Sequence, residues 1–368
     1  MSSGGAGDPG APTALTGEAI AAVDRSGQLN DVLALGEHLR DALWRVESAG
    51  LEPADSAGGL VIAGMGGSAI GGALARAVLG DRASRPISVW RDYGLPDSLG
   101  TDATVLCCSY SGATEETLAA YEAAGALGVR RIVCTSGGAL AVQARTDGVP
   151  VIPLPGGFAP RAAVGYGLVV ALEVAALAGA AIHLRTEIDV AAEHAMRLAE
   201  RWGPDASEDS LAKSLARSLA QTIVQIGGAG LTAPIAYRWK TQLNENAGTP
   251  AFAGRLPELD HNEIVGWEAA PMLGRFSVVM LDDCDLHPRV RERIALTLEV
   301  IGERAVASHR IQTLGSTRIE RLISLVLLGD LVSIYVAVLR GRDPASIEPI
   351  DELKRALASG DADSGRTA

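Results

Sequence analysis

An α/β protein of two similar halves, each a parallel, doubly wound sheet flanked by helices, is what this sequence predicts, and three observations predict it. Short apolar runs alternate with helical segments through the first half of the chain. The order apolar run, glycine-rich turn, helix appears near residue 60 and returns near residue 225. At 368 residues the chain also exceeds the size at which a single core usually stops growing.

The elements follow in order. Residues 15–50 carry Leu33, Leu35, Leu39 and Leu43 among charges, a helical spacing. GLVIAG (59–64) predicts a first strand, and MGGSAIGGALARAVLG behind it a helix. PISVWRDY (86–93) and ATVLCCSYSG (103–112) predict the next two strands. ATEETLAAYEAAGALG is a helix whose acids crowd the first turn, where the helix dipole favours them. RRIVCTSGG (130–138) and VPVIPLPGG (149–157) supply two further strands. Val164 to Ile182 is apolar, yet it holds Tyr166 and Glu173 and is rich in Ala and Gly, so it is expected as a buried helix and not a membrane span.

In the second half, LAQTIVQIGGAGLTAPIAYRWKTQLNE (219–245) repeats the strand, turn, helix plan, and RFSVVMLDD (275–283) answers ATVLCCSYS. LHPRVRERIALTLEVIG is the helix that follows, and a long apolar helix (Ile319 to Arg340) and a short charged one around Asp351–Leu357 close the chain. The expected division is a tail at 1–14, domains at 15–190 and 191–358, and a tail at 359–368. Both tails are expected to be disordered, because their small polar residues offer no apolar surface to repay ordering.

A formal charge of −12 argues against nucleic acid or a membrane surface as partner. It also means that any phosphorylated ligand must be held by local donors. Cys107, Cys108, Cys134 and Cys284 show no CxxC spacing, so free thiols in a reducing cytoplasm are expected, without zinc or disulfides. No signal peptide is expected. His38, His183, His194 and His309 lack metal-ligand spacing, and His287 before Pro288 suits a turn or helix cap. Lysine is rare, only Lys213, Lys240 and Lys354. Each is a candidate for chemistry that needs a releasable proton, with a plain structural role as the alternative.

Two loops at strand ends stand out as anion sites. Gly64-Met65-Gly66-Gly67-Ser68 and Ser109-Tyr110-Ser111-Gly112-Ala113-Thr114 each lead into a helix, and they combine hydroxyls with glycines that admit backbone N–H groups. The first loop nearly satisfies a dinucleotide fingerprint, with Asp92 near the end of the next strand as a ribose ligand, so a nicotinamide reading stands beside the phosphate reading. The hydroxyl-rich second loop, which a dinucleotide fold does not need, favours phosphate.

GMGGSAIGG and SYSGATEET resemble the sugar isomerase (SIS) domain. GGFAPRAAVGYGL, YRWKTQLNENAGTPAF, LPELDHNEIVGW and the C-terminal DP…IEPIDELK extend the likeness to the bifunctional phosphoglucose/phosphomannose isomerase family, over residues 55 to 357. The resemblance implies two SIS-type subdomains and aldose–ketose isomerisation of sugar 6-phosphates with no cofactor and no metal. It implies that Gly67, Ser68, Ser109, Ser111 and Thr114 hold the phosphate and that Glu245 moves a proton between C1 and C2. It further implies that His261 and Lys354 assist ring opening, that Arg161 stabilises the enediolate, and that the site is completed across a homodimer by the neighbouring subunit's histidine. One departure is Gly248, where the family motif continues NENAK.

The alternative to an enzyme is a non-catalytic sugar-phosphate regulator built on the same pocket. The Glu, His, Arg and Lys set outside the phosphate loops favours catalysis, since a sensor has no need of it. A glutamine-dependent relative of this chemistry would require an ammonia-generating domain with a nucleophilic cysteine, which this sequence does not contain.

Overall fold

The computed structural model describes residues 14–364, with side chains through residue 357. Helices α1 (Gly17–Val23), α2 (Gln28–Leu33) and α3 (Leu35–Ser48) lead into a five-stranded sheet of β1 (Leu60–Gly64), β2 (Ile87–Trp90), β3 (Thr104–Cys108), β4 (Arg130–Thr135) and β5 (Val151–Pro153). Between these strands run α4 (Gly66–Leu79), α5 (Glu115–Leu127) and α6 (Gly138–Thr146), and α7 (Val164–Leu177) follows them. The sheet is parallel throughout, in the order β2-β1-β3-β4-β5. β1 and β3 are buried along their whole length, which is why they read as unbroken apolar runs.

Helices α8 (Arg185–Trp202) and α9 (Leu211–Leu219) lead to the second sheet, β6 (Ile223–Gly228), β7 (Ala251–Arg255), β8 (Phe276–Asp282) and β9 (Ala307–Gln312), again parallel, in the order β7-β6-β8-β9. Its helices are α10 (Ala233–Ala247), α11 (Ala270–Leu273), α12 (Pro288–Gly302), α13 (Arg318–Leu339) and α14 (Glu348–Ser364).

Two strands were not expected from the sequence. β7 includes Gly254 and three exposed positions, and β9 (ASHRIQ) alternates half-buried with exposed positions at the sheet edge, with Ile311 buried, so neither shows the apolar run that marks a central strand. The expected division between residues 190 and 191 falls inside α8, whose Ile188, Ala191, Ala192 and Ala195 form one continuous buried stripe. At the C-terminus the backbone stays helical to Ser364, past the residue 358 expected as the last ordered one. The Ala-rich start of that stretch, RALAS, favours a helix. The expected N-terminal tail lies, apart from Ala14, outside the described residues, as does 365–368.

One large core unites residues of both sheets with α3, α4, α7, α8, α10 and α13, so the helices form a layer between the sheets. Smaller cores back the outer faces, one under α5 and α6 and one under α12. Pro160–Leu177, which is α7 with the turn before it, and α13 match membrane spans in length and apolar composition, and both are buried within this layer. α13 begins with a capping box: Thr317 Oγ1 accepts from Glu320 N at 3.1 Å, and Glu320 Oε2 accepts from Thr317 N at 2.8 Å.

Candidate active site

The two predicted phosphate loops lie side by side at the carboxyl ends of β1 and β3, where Gly64 pairs in register with Cys108. Gly66 opens α4 at φ +49°, a conformation a side chain would resist. Ser68 Oγ accepts from Tyr110 N at 3.1 Å, which ties the first loop to the second. Within the second loop Ser109 and Thr114 join their hydroxyls at 2.8 Å, and Ser109 Oγ accepts from Gly112 N at 3.1 Å. Ser109 is buried and braces the loop, while Ser111 is exposed and Thr114 stands at the residue before α5 with its hydroxyl turned to Ser109. Gly112 is the tightest point, since a Cβ there would lie 1.8 Å from Gly137 O.

Arg161 stands on a 3-10 turn, Pro160–Ala163, at the head of α7. Gly67 lets that turn approach: a Cβ on Gly67 would meet Pro160 O at 2.9 Å and Arg161 Cα at 3.1 Å. Glu245 is in the last turn of α10, which comes from the other sheet, and its Oε2 lies 3.6 Å from Arg161 Nη1. Two halves of the chain thus meet at one charged pair beside the phosphate loops. The Glu245 side chain keeps 30% of its surface open to solvent, whereas the Arg161 side chain is buried.

Arg161 is held by groups that the sequence reading missed. Its Nε donates to Asn246 Oδ1 at 2.5 Å, and its Nη2 donates to Gln28 Oε1 at 3.0 Å and to Pro344 O at 2.7 Å. Gln28 Nε2 donates to the same Asn246 oxygen at 2.7 Å, and Asn246 Nδ2 donates to Ser333 Oγ at 2.9 Å. Below this, Arg238 donates to Arg161 O at 2.9 Å and forms a two-point pair with Asp330 at 2.9 and 2.6 Å. Burial pushes the Arg161 guanidinium below its ordinary pKa, and the Glu245 charge pulls it back up. Arginine remains a cation under such a shift. The only signal for Asn246 was its place beside Glu245 in the NENA motif, and Gln28, 133 residues from Arg161, had none.

The other predicted residues stand apart. His261 ends an exposed 3-10 turn, Glu258–His261, beyond the edge strand β7, and neither hydrogen bonds nor pairs with Arg161 or Glu245. Lys354 is exposed on α14 and makes no hydrogen bond or ion pair among the described residues. Lys213 proves structural: its buried ammonium donates to Pro204 O at 2.8 Å and Ala206 O at 2.7 Å and pairs with Glu208. Gly248, in place of the family lysine, is the left-handed residue (φ +56°) that terminates α10 just past Glu245. Asp92 Oδ1 accepts from its neighbour Tyr93 N at 2.8 Å, an interaction local to its own loop. His287 caps α12 through Nδ1, which accepts from Arg289 N at 3.2 Å. Cys107, Cys108 and Cys134 are buried free thiols, Cys284 an exposed one.

Two parallel sheets around a shared helical layer, with paired hydroxyl-bearing loops at the strand ends of the first, are the architecture of a double SIS domain. A crystal structure of a glucose-6-phosphate isomerase like protein from Thermus thermophilus shares the fold, at a TM-score of 0.60 and 19% identity over 94% of this chain and 99% of that one. Residues 208–357 match the bacterial phospho-glucose isomerase C-terminal SIS domain. Bifunctional phosphoglucose/phosphomannose isomerases are similar at 40% identity in Caldicellulosiruptor bescii, over 81% of this chain and 89% of the relative, and at 34% in Aquifex aeolicus, over 81% and 90%. The chain belongs to the bifunctional phosphoglucose/phosphomannose isomerase family.

Proposed function

We propose that this isomerase interconverts glucose 6-phosphate and mannose 6-phosphate with fructose 6-phosphate through a cis-enediol. The observation that carries the reading is the Arg161–Glu245 pair, 3.6 Å apart and set against the phosphate loop by Gly67. Gly67, Ser68, Ser109, Ser111 and Thr114 bind the phosphate with hydroxyls and helix N-termini, without a lysine. Glu245 takes the proton from C2 and returns it to C1, and the Arg161 cation stabilises the negative charge that develops on the enediolate oxygen. Glucose and mannose phosphates differ only at C2. Removing that proton erases the difference, so a single base that can reach C2 in either configuration serves both substrates.

Ring opening falls to His261 and Lys354, with His261 supplied by a second copy. The turn that bears it is flanked by exposed apolar side chains, Phe252, Val265 (65%), Met272 (82%) and Leu273 (76%), a patch suited to burial in a homodimer. The reading includes a cytoplasmic enzyme that needs no metal or cofactor and binds neither nucleic acid nor membrane.

Incubation with each aldose phosphate in EDTA, followed by assay of fructose 6-phosphate, tests the activity. Product from both supports it; a folded protein that binds the sugar phosphates but yields no product is a regulator instead. Mixing the inactive variants His261→Ala and Glu245→Gln tests the shared site. If subunits exchange at random, about a quarter of wild-type activity returns when the histidine crosses the dimer, and none returns when it does not.

A further inference from the structure

A wide cleft lies apart from the candidate active site. It has a volume of about 910 Å³ and lies at the carboxyl end of the second sheet, between the β6–α10 turn, the β8–α12 loop and the far end of α4. Four arginines line it, Arg76, Arg91, Arg255 and Arg318. Arg318 is paired with Asp81 at 2.6 Å. Arg76, Arg91 and Arg255 have no hydrogen-bonding or ion-pairing partner among the described residues, and Arg91 and Arg76 stand close enough to repel each other. The acids on the wall, Asp283 and Asp285, are both engaged by Arg321. A protein of charge −12 therefore keeps three uncompensated guanidiniums in one concave site.

We propose that this second cleft binds a small diphosphate-type anion. Three unpaired guanidiniums match two or three negative charges, and guanidinium is the side-chain group best suited to phosphate oxygens. Gly230 and Leu231, in the turn at the head of α10, bring backbone N–H groups to the wall, and the Tyr237 ring, its centroid 5.9 Å from the Arg91 guanidinium carbon, offers a flat apolar wall. The volume falls in the range of small-ligand pockets. This site is separate from the sugar-phosphate loops, which lie on the first sheet, and the inference does not depend on the catalytic reading.

Calorimetric titration of the full chain with inorganic pyrophosphate in EDTA tests it. Two binding events per chain are expected, one at the phosphate loops and one in the second cleft. Ser109→Ala with Ser111→Ala removes the first only. Arg76→Gln, Arg91→Gln and Arg255→Gln together remove the second, with affinity there falling at least about tenfold, and leave kcat and KM for fructose 6-phosphate unchanged. The lysine variants Arg91→Lys and Arg255→Lys retain part of the binding and control for folding. A single event in wild type that the serine variants abolish overturns the proposal. So does an arginine triple variant that keeps both events, or one that loses only self-association, which would assign the arginines to contacts with a second copy. A nucleoside diphosphate that binds more tightly than pyrophosphate, with the gain lost in Tyr237→Ala, identifies a nucleotide as the source of the diphosphate; equal affinity identifies the free anion or a simple ester.

Discussion

At the candidate active site, Arg161 at the head of α7 stands 3.6 Å from Glu245 at the end of α10; at the arginine-lined cleft, Arg318 at the head of α13 stands 2.6 Å from Asp81 beyond the end of α4. The plan is the same and the chemistry is not. Arg161 commits its Nε and Nη2 to neutral buried acceptors, so Glu245 has company without a tight bond and its oxygens stay open to a substrate proton. Asp81 is hydrogen bonded directly by Arg318, which holds its carboxyl below the usual range and makes it a poor base. The loops differ in the same spirit. Where the loops of the first sheet carry Ser68, Ser109, Ser111 and Thr114, the loops of the second cleft carry Leu231, Asp283, Asp285 and His287. A repeated architecture has kept its frame and changed the groups aimed into the groove.

The sharpest way to break this comparison is to remove each acid in turn. Glu245→Gln is expected to lower kcat about 10³-fold while sugar-phosphate binding persists, the effect of losing a general base. Asp81→Asn is expected to leave kcat unchanged. Equal losses from the two substitutions, measured by steady-state kinetics, would show that the clefts share the catalysis.

The next effect concerns what holds the first arginine. Asn246→Leu leaves Arg161 Nε and Gln28 Nε2 without their common acceptor, in a buried setting. A loss of about 2–3 kcal/mol in denaturant unfolding is expected from the unsatisfied donors. A fall in kcat with KM nearly unchanged would mark the positioning role, and Arg318→Gln in the second cleft should produce no such fall. An Asn246→Leu variant of wild-type kcat would reduce that network to scaffolding.

A smaller change is expected from Gly67→Ala. Its Cβ would press Pro160 O at 2.9 Å and Arg161 Cα at 3.1 Å, displacing the Arg161 turn by a few tenths of an ångström. About a tenfold loss in kcat follows from misplacement of that order. Wild-type kinetics in Gly67→Ala would place the turn too far from the chemistry to matter.

The mildest effect is shared by both halves. Burial holds His38, in the first half, and His309, in the second, below the ordinary histidine pKa. The unfolded chain, whose histidines titrate near about 6.5, then binds more protons than the folded one in acid. Stability is expected to be complete above that value and to decline as pH falls below about 6.5, by thermal melting. His38 is ringed by Phe158 at 4.9 Å and Tyr166 at 5.2 Å, and His38→Phe should flatten part of the slope. A melting temperature that rose on acidification would contradict the sign.

Much of this molecule could be read along the chain. Strands β1, β3, β4, β6 and β8 announced themselves because a strand buried on both faces is a continuous apolar run, and the glycine turns behind β1 and β6 follow from backbone sterics at sheet ends. The hydroxyl loops were legible for the same local reason, since phosphate recognition by a loop uses neighbours in sequence. What only the tertiary structure decided was long-range: that Gln28, Arg161, Asn246 and the Pro344 carbonyl converge on one guanidinium, and that Arg76, Arg91 and Arg255 face a common cleft. Period and composition record which face of an element is buried. They carry no record of which buried polar groups find each other across the core, because that pairing is set by how the helical layer packs between the two sheets.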